Sequence, residues 1–302
     1  MDILVDCSKG GICRNLKNIV NGSRLAEYHK LHMVIYWPTI LHVMQKQHGS
    51  AVKMINIDNI RFTDIIENIK IPYDLVTQKA ELSIYNFKIV SCTHEVNPLP
   101  HELDLLPDKF SELQYLITKN YKSLTYEFEN IPLAIRNNIV TYFKYIEINA
   151  TILNVVTKFI QKNRNTNQKL IGVSIRTWPE HKDREKWYSL KNYTTKLDDL
   201  ISSGIKCKIF VCSDNVEPIE KLKELYGDQI VEYDDIVRVR GGSWNINFND
   251  IIDLCIMAKC DVIMGSLTSN WLEVAWYLSE CNAKYITINE IYNDECYQLI
   301  LR

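Results

Sequence analysis

Two hydrophobic patterns alternate along this chain of 302 residues. Short apolar runs predict strands, and apolar residues that recur every three or four positions predict amphipathic helices. The first strand covers residues 2–6. A glycine turn follows it, and the next helix has apolar residues on one face at Ile12, Leu16, Ile19 and Val20. A second strand covers residues 33–37, so the chain opens with a strand, turn, helix, strand unit.

The middle of the chain has a weaker pattern. Residues 51–100 mix short β-like runs with turns whose order the pattern does not give, whereas residues 107–162 have helical spacing. Residues 162–168 are polar throughout and can bury little apolar surface, which is typical of a linker. We therefore predict two domains, residues 1–162 and 169–302.

Beyond the linker, strands and helices alternate clearly. Continuous apolar runs predict strands at 170–175, 207–212, 229–233, 261–264 and 285–288. Amphipathic spacing predicts helices after Tyr193 and at 218–225, 249–259 and 269–278. This alternation indicates a parallel sheet covered by helices on both faces, so the predicted fold class is α/β.

Composition excludes several classes of function. The chain has 35 basic and 37 acidic residues, a formal charge of -2, so we expect no nucleic-acid partner. No apolar stretch approaches the ~20 residues of a membrane span, and the start lacks a secretory signal, so we expect a cytoplasmic protein. We expect its nine cysteines to be reduced. No Cys/His cluster has metal-ligand spacing, so we predict no metal site.

The most informative segment is residues 260–269, where an apolar strand ends at a glycine and hydroxyl residues open a helix. Backbone N–H groups and hydroxyls at a helix N-terminus suit a phosphate or diphosphate. The candidate phosphate-binding residues are Gly265, Ser266, Thr268 and Ser269. The alternative is that Thr268 or Ser269 is only an N-cap.

A second strand end carries a cation. The strand at 170–175 delivers Arg176 to the edge of the sheet where ligands bind in doubly wound folds. Arginine binds phosphate oxygens in a fork and stabilises the charge of a departing nucleotide. The alternative is a local ion pair, for which the chain offers Glu180, Asp183 and Glu185.

Two further strand ends are polar. Ser213 and Asp214 follow the strand at 207–212, although Asp214 could equally be the N-cap of the next helix. Gly10 and Gly11 open the first helix, without the G-x-G-x-x-G fingerprint of dinucleotide-binding proteins. Four polar strand ends together favour a ligand site between two α/β domains.

These motifs resemble those of the fucosyltransferase superfamily, which includes the α1,6-, Nod-factor and protein O-fucosyltransferases. The family has a Gly-Gly-Leu-Gly-Asn-Arg-like loop, and this chain has Gly10, Gly11, Ile12, Cys13, Arg14 and Asn15. Residues 174–178 match a His-x-Arg-Arg-Thr-Asp-like motif. Ser213 and Asp214 match a Thr-Asp-Asp-like strand end. The most specific match is the spacing of Asp253, Cys260, Asp261, Gly265, Thr268 and Ser269.

The resemblance implies a GT-B-like fold, with two Rossmann-like domains whose parallel sheets face a central cleft. It implies an acceptor-side domain at 1–162 and a nucleotide-sugar domain at 169–302. It further implies GDP-fucose as donor, a glycan or protein hydroxyl as acceptor, and inverting transfer without a metal or other cofactor. Arg176 would contact the β-phosphate, Thr268 and Ser269 would donate to the diphosphate, and Asp253 would help to read the base. The other candidates for binding the donor are Gly10, Gly11, Arg14, Asn15, Ser174, Thr177, Ser213, Asp214, Gly265 and Ser266.

Two departures from the family pattern bear on the donor. Ser174 stands where the family has a base-contacting histidine, and Thr177 stands where a second arginine often lies. Transfer also needs a base for the acceptor hydroxyl, for which Glu185 and Glu180 are the candidates. Either glutamate could instead be a solvated surface charge. The alternative function is a non-catalytic nucleotide- or glycan-binding module of the same fold.

Overall fold

The structure is a computed structural model, which describes residues 1–8, 11–38, 61–91, 133–177, 189–233, 248–266 and 269–288. The chain divides into two compact units, and each contains its own parallel sheet. The class is therefore α/β, as the alternation of strands and helices predicts. The predicted domain boundary at 162–169 stays a prediction.

The first unit is built mainly from the amino-terminal elements. In chain order they are β1 (Asp2–Asp6), α1 (Ile12–His29), β2 (His32–Tyr36), α2 (Phe62–Ile65), β3 (Ile66–Ile69), β4 (Tyr73–Val76), a 3₁₀ helix (Lys79–Ile84) and β5 (Phe87–Ser91). Three elements follow further along the chain: α3 (Leu133–Tyr145), β6 (Ile146–Ile148) and α4 (Ala150–Asn163). Strand β6 belongs to the first unit with residues 141–145 of α3 and 150–153 of α4, whereas residues 133–140 and 154–163 belong to the second unit.

The sheet of the first unit has the order β4-β2-β1-β5, with every neighbouring pair parallel. This is the order in which the first four strands of a Rossmann fold lie, because the second and third strands go to one side of the first and the fourth goes to the other. Ile3 and Val5 of β1 are fully buried, since the strand lies in the centre of the sheet. A separate antiparallel ladder pairs β3 with β6.

Helix α1 packs closely on β1 through Gly22. A Cβ atom at Gly22 would overlap the Cγ2 atom of Val5, so only glycine allows this approach of helix to strand. The helix also buries polar side chains, namely Asn15, Lys17, Asn18, Asn21, Ser23 and Arg24. A helix buried on more than one face is an interior element of its unit. It ends at Lys30, which has a left-handed conformation with φ 54°.

The second unit is built from a longer β/α alternation. Its elements are β7 (Lys169–Ile175), α5 (Leu190–Ser202), β8 (Cys207–Ser213), α6 (Glu217–Tyr226), β9 (Ile230–Val231), α7 (Phe248–Met257), β10 (Val262–Ser266), α8 (Asn270–Leu278) and β11 (Lys284–Ile288). Residues 248–251 at the start of α7 belong to the first unit. A 3₁₀ turn, Gly227–Gln229, precedes β9.

Its sheet has the order β11-β10-β7-β8-β9, again parallel throughout. The chain winds outward from β7 to β9 and then returns to the other side of β7 at β10. The point between β7 and β10 is therefore the topological switch point, where ligands bind in open α/β sheets. The central strands β7, β8 and β10 are buried on both faces, and Phe159 of α4 packs edge-on against Phe210 at a centroid distance of 5.5 Å.

Several elements differ from the predicted ones. Strand β6 interrupts the predicted helical region, because Ile146 and Ile148 pair with β3, a partner that the local spacing does not reveal. The part of that region at 107–132 lies outside the described residues. Strand β9 is shorter than predicted, with only Ile230 and Val231 in the ladder.

The predicted linker makes specific contacts within the second unit. Arg164 donates from Nη2 to Oδ1 of Asp261 at 2.7 Å, and its Nη1 donates to the carbonyl of Lys259 at 3.3 Å. Ion pairing and hydrogen bonding, rather than burial of apolar side chains, therefore hold this polar segment in place.

Among the described residues, no helix is long and apolar enough to cross a membrane.

Candidate functional site

Three of the predicted strand ends lie at one edge of the second sheet. Ser174 of β7 is in register with Gly265 of β10 on one side and with Cys212 of β8 on the other. The strands are parallel, so the residues that follow them leave the sheet at the same edge. The structure thus brings together Ser174, Arg176, Thr177, Ser213, Asp214, Gly265 and Ser266 at the carboxyl ends of β7, β8 and β10.

Arg176 forms an ion pair with Asp214 across the ends of β7 and β8. The Nη1 atom of Arg176 lies 2.9 Å from Oδ2 of Asp214. The arginine side chain is 36% exposed and the aspartate side chain is 7% exposed. The carboxylate is therefore buried beneath a guanidinium that keeps a solvent-facing surface.

Thr177 contacts the same carboxylate. Its backbone N–H and its hydroxyl both donate to Oδ1 of Asp214, at 2.9 and 3.1 Å. Thr177 is only 5% exposed, so its hydroxyl faces the protein interior and not the solvent. Thr177 is therefore a buried hydrogen-bond donor to Asp214.

Asp214 is not the N-cap of α6, which corrects one of the two predicted alternatives. The N-cap is Val216, and Oδ1 of Asn215 accepts a hydrogen bond from the N–H of Glu217 at 3.2 Å. Ser213 Oγ accepts from the N–H of Asn215 at 3.1 Å and so shapes the turn. The strand-end carboxylate is consequently available to β7, which the local sequence could not show.

The β10 end has the geometry of a capped helix start. Ser269 is the N-cap of α8, and its Oγ accepts from the N–H of Leu272 at 3.3 Å. Its own N–H donates to the carbonyl of Ser266 at 3.1 Å. The predicted capping role of Ser269 is thus confirmed, and its hydroxyl proton and the helix N-terminus still suit an anion. Thr268 lies outside the described residues.

Two buried acidic residues lie on the helices around β10. Asp253 of α7, the predicted base-reading residue, is 5% exposed. Glu273, in the first turn of α8, is 4% exposed, and sequence analysis did not single it out. Carboxylates are rarely buried to this degree unless they are paired. The only sequence signal for Glu273 is its place among the apolar residues of α8.

Tyr193 is a second residue whose role the sequence does not reveal, because there it only precedes a predicted helix. It is 3% exposed, and its hydroxyl donates to the backbone carbonyl of Ser174 at 3.3 Å. This hydrogen bond fixes the carboxyl end of β7 against α5. A lone tyrosine in an amphipathic helix gives no indication of such a role, because core tyrosines have the same spacing.

The loop after β1 is a separate polar cluster in the first unit. Gly11 is the N-cap of α1 without a side-chain cap, and the amide of Asn15 donates to the carbonyl of Cys7 at 3.3 Å. Within the described residues, Nε of Arg14 and Oδ1 of Asn15 are buried and have no hydrogen-bond partner. Buried polar atoms that lack a partner in the protein commonly bind a ligand or an ordered water. Gly10 lies outside the described residues.

The two candidate bases, Glu180 and Glu185, lie outside the described residues, and their role stays a prediction. No group of His, Cys, Asp and Glu residues suited to a metal ion is present in the described part of the chain. An open groove of about 500 Å³ lies at the amino-terminal edge of the second sheet, next to Lys206, Lys208 and Tyr226. It is at the opposite edge from Arg176 and so has no part in the candidate site.

No protein-family model and no curated protein sequence matches the chain. Solved structures do match it: the chain has a fucosyltransferase-like, GT-B-like α/β fold. One match is NodZ α1,6-fucosyltransferase soaked with GDP-fucose, with 14% identity, a TM-score of 0.54 and coverage of 92% of each chain. Fucosyltransferase NodZ from Bradyrhizobium is 15% identical, with a TM-score of 0.53 over 91% of each chain.

A third match is a structure of POFUT1. POFUT1 in complex with GDP-fucose is 12% identical, with a TM-score of 0.52, and the match covers 95% of this chain and 96% of that one. The agreement spans nearly the whole length of all three proteins. The predicted fold resemblance is therefore confirmed.

Proposed function

We propose that this chain is a glycosyltransferase that transfers fucose from GDP-fucose to a hydroxyl of a glycan or protein. The observation that carries the proposal is the position of Arg176. It follows β7 at the carboxyl end of the sheet, where the neighbouring strand β10 leads to the capped N-terminus of α8, in a fold shared with proteins solved with GDP-fucose. Arginine and a helix N-terminus are the groups that a departing diphosphate needs.

In this proposal the segment 169–302 binds the donor and the segment 1–162 faces the acceptor. Arg176 contacts the β-phosphate, and Ser266, Thr268 and Ser269 surround the diphosphate. Asp253 contacts the base. Transfer proceeds with inversion and without a metal, with Glu185 or Glu180 as the base that deprotonates the acceptor.

The test is binding of nucleotides followed by turnover. The chain is screened by thermal shift against GDP, UDP, dTDP, ADP and CMP, and then assayed for hydrolysis and transfer with GDP-fucose. Binding to the native state adds ~2.7 kcal/mol of stability when ligand is at a hundredfold excess over its dissociation constant. We expect a selective shift with GDP, and a shift with none of the nucleotides would contradict the proposal.

Arg176→Ala and Arg164→Ala form a matched pair of variants. Both arginines are 36% exposed and both pair with an aspartate. Arg164, however, lies at the amino-terminal ends of the strands, whereas Arg176 lies at their carboxyl ends. Loss of a charged contact to phosphate reduces affinity by roughly 10–100-fold. We expect that loss of GDP affinity in Arg176→Ala alone. An equal loss in Arg164→Ala would mean that the effect comes from stability.

The second candidate is a non-catalytic nucleotide-binding module. The observation that favours it is the buried Thr177, because a threonine bound to Asp214 leaves the position of the second arginine without a cation. GDP binding without hydrolysis or transfer of GDP-fucose would support this candidate. Measurable transfer would exclude it.

A further inference from the structure

We infer that Asp214 is a positioning residue, which holds Arg176 in place for the diphosphate and does not itself contact the donor. The inference rests on the proposed function and assigns Asp214 a role different from the donor-binding one that sequence resemblance implies. It also gives Thr177 a role, as the residue that fixes the carboxylate.

The first step is the geometry of the carboxylate. Oδ2 of Asp214 forms an ion pair with Nη1 of Arg176 at a distance of 2.9 Å. Oδ1 accepts from the N–H and the hydroxyl of Thr177 at 2.9 and 3.1 Å, and Ser213 Oγ lies 3.5 Å away. Both oxygens are therefore engaged by protein donors, and the carboxylate is held from two sides.

The second step concerns what Asp214 can offer a donor. A carboxylate has only acceptor oxygens when ionised, and a diphosphate has only acceptor oxygens as well. Two like charges in contact repel, most strongly away from bulk water. Because the Asp214 side chain is 7% exposed, a direct contact would also require the ion pair to open. Asp214 therefore has no favourable contact to offer the diphosphate, and we assign its effect on the diphosphate to Arg176.

The third step concerns what Arg176 gains. A long arginine side chain loses rotamer freedom when it is held in one geometry. The ion pair with Asp214 fixes that geometry before the ligand arrives, so less ordering remains at binding. The arginine keeps an exposed third of its surface for the ligand. The Thr177 contacts then tie the chain beyond β7 to the end of β8, so that the backbone beneath Arg176 is also held.

The experiment is a double-mutant cycle on GDP affinity, measured by calorimetry. The variants are Asp214→Asn, Arg176→Ala and the double variant, each checked for folding by thermal unfolding without ligand. Asp214→Asn keeps the shape and one acceptor oxygen but removes the charge. We expect it to weaken GDP binding about tenfold, which lies within the coupling found between residues in contact. In the Arg176→Ala background we expect the same change to have no further effect.

Additive losses would overturn the inference, because an aspartate that contacts the donor directly would lose its own contact whether or not Arg176 is present. An unchanged affinity in Asp214→Asn would overturn it as well. Absence of GDP binding by the unaltered chain would remove the proposed function, and the positioning role with it. That result is distinct from additivity, which leaves the proposed function in place.

Thr177→Val provides a second route if Asp214→Asn does not fold. Valine has the shape of threonine and keeps the backbone N–H bond to Asp214, but it lacks the hydroxyl that donates at 3.1 Å. We expect a smaller loss of GDP affinity, about threefold, that is again absent in the Arg176→Ala background. A loss of the same size in both backgrounds would contradict the positioning role.

Discussion

Gly265 of β10 lies directly opposite Ser174 of β7, and the space between them leaves no room for a side chain. A Cβ atom at Gly265 would lie 2.7 Å from the carbonyl oxygen of Ser174 and 2.5 Å from Cδ1 of Leu272. Leu272 belongs to the first turn of α8. The glycine therefore sets how closely the helix N-terminus approaches the strand that carries Arg176.

Gly265→Ala should perturb both stability and the candidate site. The added methyl group meets backbone on one side, which cannot rotate away, so we expect a loss of about 1–3 kcal/mol in the free energy of unfolding. The shift of α8 should also weaken GDP binding. Urea denaturation and calorimetry measure the two effects.

Gly172→Ala is the matched control for this change. It lies in the middle of β7, where a Cβ atom would lie 2.9 Å from Sγ of Cys260 and closer still to Sδ of Met257, both of them side-chain atoms. We expect destabilisation without a specific loss of GDP affinity. Equal losses of affinity in the two variants would contradict the role of Gly265 in the site.

Much of the second unit follows from its sequence because its strands are continuous apolar runs. Arg176 could thus be placed at a carboxyl strand end from local pattern alone. Its partner could not, since Asp214 is near Arg176 only through the β7–β8 register, and the sequence offered three closer carboxylates. The short strands β3 and β6 escaped prediction for the same reason, because their pairing joins Ile66 to Ile148.

Asp261→Asn should destabilise the second unit without affecting the site. Asp261 accepts from Arg164 at 2.7 Å, from Lys169 at 3.3 Å and from the N–H of Leu170 at 2.8 Å. Its side chain is 16% exposed, so we expect a loss of about 1–3 kcal/mol, typical of charged hydrogen bonds. Chemical denaturation measures the loss, and GDP affinity should stay unchanged.

The control for Asp261 is an exposed ion pair. Glu217 contacts Lys221 one helical turn away, at 2.5 Å, and its side chain is 62% exposed. Glu217→Gln should change the free energy of unfolding by no more than about 0.5 kcal/mol. A loss in Asp261→Asn as small as in this control would show that the cluster does not hold the segment.

Tyr142→Phe should alter how the first unit responds to alkaline pH. Burial and a hydrogen bond to the carboxylate of Glu27 raise the pKa of Tyr142 well above 10. A raised pKa favours the protonated tyrosine in the folded state. Its stabilisation is therefore complete below the unfolded pKa near 10 and is lost as pH rises towards the folded pKa.

We expect the free energy of unfolding to fall more steeply above pH 10 in the unaltered chain than in Tyr142→Phe. At neutral pH the variant should lose about 1 kcal/mol, because one hydrogen bond disappears. Tyr28→Phe, at a ring that is 43% exposed, is the control. Parallel curves for the unaltered chain and Tyr142→Phe would contradict the assignment.

The described cysteines should resist thiol reagents in the folded protein. Burial raises the pKa of Cys255 to about 12 and that of Cys281 to about 12, the latter despite the nearby guanidinium of Arg136. At pH 8 a thiol with such a pKa is ionised in roughly one molecule in 10⁴, whereas an ordinary thiol is ionised in about a quarter. Cys281 provides the sharper test because it is only partly buried.

The experiment uses a variant with Cys92→Ser and Cys296→Ser, which removes the two cysteines outside the described residues. Ellman's reagent should label the native form of this variant orders of magnitude more slowly than its urea-unfolded form. Rapid labelling that disappears on Cys281→Ser would show that its thiol is accessible and ionised, and would contradict the raised pKa.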